Sequence, residues 1–318
     1  MRRIPPLERE GDDVGIGKVG EIEGSDHVGV EGARTRTGAA AENYVSPTVQ
    51  SSCALVEAIR GGELWCMTET LEERRATAAA EGGAEKRDYV RATFEQIAPR
   101  YDLLNHLLSF NVDRRWRRHA LRALAWTRVP DGRYLDLCAG TLDVGAQLAA
   151  EREFTGFIVG ADFAPAMLRG GTGKAPVAVL APVAADAQQL PLPDASMDGA
   201  IVAFGIRNVA SLDAALREVN RVLRPGARFV ILEFTTPRRT LVRWAYQLYF
   251  HHVLPLIGGM ISGHRTAYRY LPRSVASFPA EPALAARMTA AGFAGVTWES
   301  LTFGIAAVHV GTRIVATC

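Results

Sequence analysis

From Lys86 onward the chain alternates two hydrophobic rhythms, and before it there is almost none. Tyr89, Val90, Phe94 and Ile97 recur at helical spacing as far as Pro99; side chains three and four apart share a helix face, so the spacing predicts an amphipathic helix. Short apolar runs then alternate with helical patterns. Arg133–Cys138 ends in the small-residue turn Ala139-Gly140, and a helical pattern (Val144, Leu148, Ala149) follows. Phe157–Ala161 ends at Asp162, with a helix starting over Ala164–Leu168. The third strand is either Val177–Leu180 or the small-residue segment Val183–Ala187. Leu190–Asp194 is a turn, Asp198–Phe204 a strand, and Gly205–Val209 the loop after it. Leu212–Leu223 is an amphipathic helix stopped by Arg224-Pro225-Gly226. Phe229–Phe234 is the next buried strand. A helix over Pro282–Ala291 and strands at Val296–Thr302 and Ala306–Gly311 complete the pattern, with Gly304 allowing a hairpin-like return. Strand–helix alternation of this kind predicts an α/β fold with a mostly parallel sheet covered on both faces.

Two segments stand outside that rhythm. Residues 1–85 are dominated by Gly, Glu, Arg, Thr and Ala without a sustained apolar period, which predicts a disordered extension before a domain over 86–318. No apolar stretch follows the early arginines, as a secretory signal requires, and Glu8, Glu10, Asp12, Asp13, Glu21 and Glu23 are too many acids for a mitochondrial presequence. The helical, charged pattern Thr68–Arg75 makes Met67 an alternative start. Leu241–Ser262 is rich in apolar and aromatic residues, but Arg243, Gln247, His251, His252 and Pro255 interrupt it, so it is not a membrane span. It is either helical core or the wall of a site for a greasy substrate.

Composition adds exclusions. With 318 residues, 48% of them hydrophobic, the chain can bury a full core. A net charge of +2 gives no global nucleic-acid footprint. Cys53, Cys66, Cys138 and Cys318 are scattered, which argues against a disulfide framework and against a zinc site; no metal is expected. The basic run Arg114–Arg118 reads first as a solvated helix face with Trp116 tucked underneath, and second as a contact with anionic lipid.

The candidate chemistry sits at Tyr134–Asp143. In a strand–turn–helix unit the turn's N–H groups and the helix start face a ligand at the carboxyl edge of the sheet, and Ala139 and Gly140 allow close approach. An acid ending the second strand, Asp162, is placed to accept from ribose hydroxyls. Together they point to a nucleoside cofactor. A nicotinamide enzyme would want G-x-G-x-x-G after the first strand, which Cys138-Ala-Gly-Thr-Leu-Asp143 does not supply, and no GxxxxGK[ST] loop is present.

With these residues assembled, the chain resembles the class I S-adenosylmethionine (SAM)-dependent methyltransferases, and within them the ubiquinone/menaquinone biosynthesis C-methyltransferases. The general part of the resemblance is Asp136-Leu-Cys-Ala-Gly140-Thr141, Asp162, Asp186-Ala187 and Leu223-Arg-Pro-Gly226. The specific part is Phe94–Asn105, Leu190–Asp194, Phe204–Val209, Glu233-Phe234, His252–Pro255, Tyr268–Leu271 and Thr302–Ala306. It spans about Arg87 to Arg313. The resemblance implies a Rossmann-like sheet of seven strands, the last antiparallel, with SAM over the carboxyl ends of the first strands. It assigns Asp136, Gly140, Thr141, Asp162, Asp186, Ala187 and Ala203 to the cofactor, with Thr141 at the methionine end, Asp162 on the ribose and Asp186 with Ala187 beside the adenine. Two positions depart from the family: Leu142 stands where Gly is usual, and Ala203 where a hydroxyl residue is common. Leu142 is expected to be strained if that position needs positive φ, or to crowd the methionine moiety.

The resemblance further implies C-methylation of a polyprenyl quinol ring, demethylmenaquinol first and the ubiquinone precursor as a second acceptor. Such chemistry rests on positioning, general-base help and phenolate stabilisation. Arg207 and Asn208 are the first candidates for touching the quinol and Tyr101 the next; His252 and Tyr268 read equally well as packed residues. Another small-molecule methyltransferase, or a SAM-binding protein disabled at Leu142, is the competing reading. A polyprenyl tail stays in the bilayer, so a cytoplasmic protein that visits the membrane surface is expected. Trp116 with its arginines, Trp244, Tyr246, Tyr249 and Phe250 are the candidate contacts. No nucleic-acid partner is expected; a homodimer is left open.

Overall fold

The computed structural model describes residues 84–98, 109, 111–249 and 265–314. The expected extension over 1–85, the Met67 start, and Tyr101, His106, Phe250 and His252 therefore lie outside the described residues, save the last two positions of that extension. So does the side chain of Tyr268.

Helix α1 (Ala84–Ile97) comes first, then α2 (Val112–Leu124) and a 3-10 turn, Trp126–Arg128. The sheet starts with β1 (Arg133–Leu137), α3 (Asp143–Ala149), β2 (Phe157–Asp162), α4 (Pro165–Gly170) and β3 (Leu180–Ala184). Next come β4 (Met197–Ala203), the 3-10 turn Ile206–Asn208, α5 (Leu212–Val222) and β5 (Leu223–Phe234). After α6 (Thr240–Leu248) follow α7 (Arg265–Ser277), α8 (Glu281–Ala290), β6 (Phe293–Leu301) and β7 (Ala306–Arg313). The seven strands are ordered β3-β2-β1-β4-β5-β7-β6. All pairs among β1 to β5 are parallel; β7 runs antiparallel to both β5 and β6. The expected architecture is thus the one observed. Strand order reverses between β1 and β4, and in open α/β sheets such a switch point opens a crevice at the carboxyl ends of the strands.

Period-2 alternation divides the core. Ala200 and Val202 of β4 and Phe229 and Ile231 of β5 face a cluster with Leu216 and Val219 of α5 and Leu284 and Met288 of α8. Ile201, Val230 and Leu232, the residues between, face Trp116 and Leu121 of α2 and Leu148 of α3. Both faces are dry, so the central strands read as continuous apolar runs.

Two expectations change, and the first of the two readings of Trp116 holds. The third strand, Leu180–Ala184, straddles the two candidate segments, because Pro176 and Pro182 blur an edge strand's apolar signature. Trp116 is buried: its indole N–H donates to Thr302 Oγ1 at 2.9 Å and its ring meets Phe234 edge-on. It is therefore no membrane contact, although Arg114, Arg115 and Arg118 around it are exposed. Finally, α6 is not core. It buries no residue, and Leu241, Trp244 and Leu248 are 77%, 62% and 46% exposed. Among the described residues no helix is long and apolar enough to cross a membrane.

Candidate active site

The loop after β1 takes a backbone path that L-residues rarely adopt. Cys138 (φ 51), Gly140 (φ 53) and Leu142 (φ 63) are all left-handed, at about 1–2 kcal/mol for each non-glycine residue. Hydrogen bonds hold the path. Ala139 N–H donates to Ala161 O at 3.0 Å and Leu142 N–H to Ala139 O at 2.8 Å. Gly140 N–H donates to Asp162 Oδ2 at 2.9 Å, and Ala164 N–H to Asp162 Oδ1 at 2.8 Å. Asp162 thereby ties the loop after β1 to the loop after β2. A carboxylate offers about four acceptor positions, so two remain for a ligand. Burial pushes the Asp162 carboxyl up, against the pull of the two N–H groups.

These loops form one side of a cleft of about 680 Å³, counting the space at its open mouth. Drug-sized and cofactor sites fall at ~300–1,000 Å³. Gly140, Ala161 and Asp162 line it, with Asp186, Ala187 and Gln188 from the loop after β3. Phe163 and Met167 supply an apolar wall, and Ala203, Phe204 and Asn208 close the β4 side. Helix α1 contributes Arg87 and Phe94 to the lining, and Arg87 Nε lies 3.5 Å from Asp186 Oδ2. Gly205 is required where β4 meets the first loop, since a Cβ there would sit 2.4 Å from Cys138 Cβ.

Of the sequence candidates, Gly140, Asp162, Asp186, Ala187, Ala203 and Asn208 therefore meet in one cleft. Asp136 and Thr141 are buried and do not line it. Asp136 Oδ2 instead accepts from Gly145 N–H at 2.8 Å, fixing the first turn of α3, and burial pushes its carboxyl up to about 7. Thr141 lies against the end of α4, its Cγ2 3.3 Å from where a Gly170 Cβ would stand. Leu142 does adopt positive φ, but it does not line the cleft. Its side chain is 3% exposed and fills the space left by Gly160 and Gly171.

Arg207 is buried beside the cleft rather than open to it. Its Nη1 lies 2.6 Å from Glu233 Oε1 and also donates to the carbonyl of Phe204; its backbone N–H donates to Glu233 Oε2 at 3.3 Å. The guanidinium lies 5.5 Å from the centre of the Phe234 ring. Asn208, next in the same turn, is 7% exposed, and its Oδ1 is buried with no hydrogen-bond partner among the described residues. Glu233 was given no role from sequence alone, yet a carboxylate closing the otherwise apolar run Phe229–Leu232 is a signal, since a fully buried acid needs a partner.

With the geometry in view, the comparisons with known proteins are direct. The ubiE/COQ5 methyltransferase family matches residues 83–313. A "Demethylmenaquinone methyltransferase" from Thermus thermophilus is 52% identical over 222 residues, covering 69% of this chain and 99% of that protein. A "Ubiquinone/menaquinone biosynthesis C-methyltransferase UbiE" from Geobacter sulfurreducens is 44% identical, covering 72% and 90%. A second "Demethylmenaquinone methyltransferase", from Deinococcus radiodurans, is 46% identical, covering 72% and 94%. Among solved structures, a chain from the complex of the Haloferax volcanii Trm112 methyltransferase activator with a methyltransferase has the same fold, with TM-score 0.50 at 17% identity and coverage of 70% and 98%. The sequence match across the whole sheet, and across the cleft at its switch point, identifies the chain as an enzyme of the ubiE/COQ5 methyltransferase family.

Proposed function

We propose that the enzyme transfers the methyl group of SAM to a ring carbon of a polyprenyl quinol, with demethylmenaquinol as acceptor and the reduced ubiquinone precursor as a second one. The observation that carries the reading is the near-complete coverage of the Thermus relative at 52% identity, together with a cleft lined by both Asp162 and Asn208. The name of the Geobacter relative spans both quinones.

The cleft residues fit SAM. Asp162 keeps two acceptor positions for ribose hydroxyls, Gly140 lets backbone approach, and Phe163, Met167 and Ala187 offer an apolar slot for a base. Asp186 stands at its rim. Once bound, SAM supplies an electrophilic methyl group on a sulfonium. The protein then has to align the ring and favour its ionised hydroxyl. Asn208 presents an unsatisfied buried acceptor to the ring O–H. Arg207, held by Glu233, places a fixed positive charge behind it. Tyr101 is assigned to the acceptor as well, on its family motif.

The family match starting at residue 83 supports reading 86–318 as the methyltransferase domain and the preceding residues as a separate extension. The acceptor's tail stays in the bilayer. The stripe Leu241, Trp244 and Leu248 on α6, a helix that also exposes Arg243 and starts at exposed Arg239, is the face we assign to the membrane surface. The test is one incubation of full-length enzyme with SAM and both reduced acceptors, read by mass spectrometry. Methylated naphthoquinol is the expected product; no methylation of either ring would overturn the reading.

A further inference from the structure

Lys86, near the start of α1, is 8% exposed, and no carboxylate among the described residues pairs with it. A buried lysine without a counter-ion is rare, because an ammonium loses its hydration at large cost. Its surroundings are specific. Helices α1 and α7 both pack on the turn Ile206–Asn208. Arg207 is the shared electrostatic neighbour of Lys86, of Tyr246 on α6 and of Tyr270 on α7. The ring of Tyr89 of α1 packs tilted against that of Tyr270, their centres 5.6 Å apart, and Glu233 of β5 is paired with Arg207. The neighbouring Arg87 is taken up by Asp186, and Arg169 of α4 is exposed. Within this group the Tyr270 hydroxyl and Asn208 Oδ1 are buried without hydrogen-bond partners among the described residues. A hydroxyl and an amide oxygen left without mates, with a buried lysine on a helix packed against the same turn, complement a ligand that carries a phenolic O–H.

We infer that Lys86 is the group that takes the proton from the acceptor's ring hydroxyl. This rests on the quinol reading above. The other groups are poorly suited. A guanidinium does not give up its proton in a protein, so Arg207 cannot be the base. Glu233 already accepts from Arg207 Nη1, from Arg207 N–H and from Phe234 N–H, and is 1% exposed. Burial holds Tyr270 up at about 12, out of range for a base. Burial first, and Arg207 second, push the Lys86 amine below the ordinary lysine range, toward the neutral form that accepts a proton. In the step, the ring O–H proton passes to Lys86 Nζ and its electron pair enriches the ring. The ring carbon forms its bond to the methyl group as the methyl–sulfur bond breaks, its electron pair left on a neutral thioether. The proton on the methylated carbon leaves to water, aromaticity returns, and the phenolate oxygen takes its proton back from Lys86 Nζ, which restores the neutral amine. Nothing is oxidised or reduced.

The chain has three lysines, Lys18, Lys86 and Lys174, so full-length protein labelled with carbon-13 lysine gives three side-chain signals, assigned with Lys86→Arg. The Lys86 signal is expected to titrate below that of Lys18. At fixed pH it should move toward its ammonium position when 1-naphthol, a ring probe that cannot be mistaken for turnover, is added with S-adenosylhomocysteine. Lys86→Arg keeps length and bulk but is permanently protonated and cannot accept a proton; its kcat should fall about a hundredfold or more, with SAM affinity by calorimetry within about twofold as the check on folding. Wild-type kcat should rise with pH through the Lys86 titration, and Lys86→Arg should lose that limb. Co-titration of Lys86 with Lys18, no response to naphthol, or an Arg variant within about threefold of wild-type kcat would each overturn the inference. If wild type fails to methylate demethylmenaquinol while Lys86 still responds to naphthol, the acceptor assignment falls and the role of Lys86 stands.

Discussion

Arg207 Nη1 and Glu233 Oε1 lie 2.6 Å apart, with both side chains under a tenth exposed. They come from the turn after β4 and the end of β5, so one ion pair joins two loops at the crevice. Removing one member leaves the other charge buried and alone, which costs about 3–5 kcal/mol, whereas replacing both by apolar residues is often neutral. Glu233→Ala is therefore expected to lower unfolding stability by that amount in urea, and Arg207→Met/Glu233→Leu to recover most of it. The double variant should still lack methyl transfer. That split would separate the pair's structural part from its part in the reaction.

Leu142 sets two magnitudes against each other. Positive φ at this residue costs about 1–2 kcal/mol, and glycine would remove that cost. But its side chain is nearly fully buried against Gly160 and Gly171, and truncating a buried leucine costs about 2–5 kcal/mol. Packing wins. Leu142→Gly is expected to destabilise the protein by about 1–3 kcal/mol without tightening SAM binding, measured by thermal unfolding and calorimetry. Tighter SAM binding in the glycine variant would mean that the side chain does obstruct the cleft.

How much of this was legible in the sequence divides along physical lines. The β4 and β5 runs are apolar because both faces of a central strand are dry, and so they stood out. The edge strand β3 carries Pro182 and an alternating burial pattern, so its register was ambiguous. The two loops that carry Gly140 and Asp162 were readable because tight backbone and a strand-end acid are local features. The Arg207–Glu233 pair joins positions 26 residues apart, and the helix that carries Lys86 packs on the turn that carries Arg207; such meetings depend on tertiary packing that no window displays. The amphipathic look of α6 misled in the opposite direction. Its apolar residues read equally as core, as a site wall or, at Trp244, as a membrane contact; Leu241, Trp244 and Leu248 are exposed, which removes the core reading.

Asp136 gives a pH dependence with a definite sign. Its carboxyl is raised from an ordinary 3.8 to about 7 in the folded chain. Between those values the folded state holds a proton that the unfolded state has released. A raised pKa stabilises the fold at low pH, and that stabilisation is lost as pH rises through about 7. The full span is worth at most about 4 kcal/mol. Asp136→Asn keeps an acceptor for Gly145 N–H and removes the charge. It is expected to flatten the fall in stability between pH 4 and 7 in denaturant titrations at stepped pH, and to be the more stable protein at pH 8. A wild-type stability that instead climbed through this range would rule out Asp136 as the controlling group.

The exposed stripe on α6 makes the last expectation. Leu241, Trp244 and Leu248 recur at spacings of three and four, so they share one helix face, with exposed Arg239 at the helix start and exposed Arg243 on a neighbouring side. A lipid surface would take the apolar face, and anionic headgroups the arginines; each basic residue near such a surface contributes about 1 kcal/mol. Trp244→Glu and Leu241→Glu should leave unfolding stability within about 0.5 kcal/mol, because both positions are solvated. The same variants should abolish flotation with vesicles rich in anionic lipid, and raise KM for a long-tailed quinol in vesicles while leaving kcat on a tail-less quinol unchanged. Equal losses on both substrates would place α6 at the ring site rather than at the membrane surface.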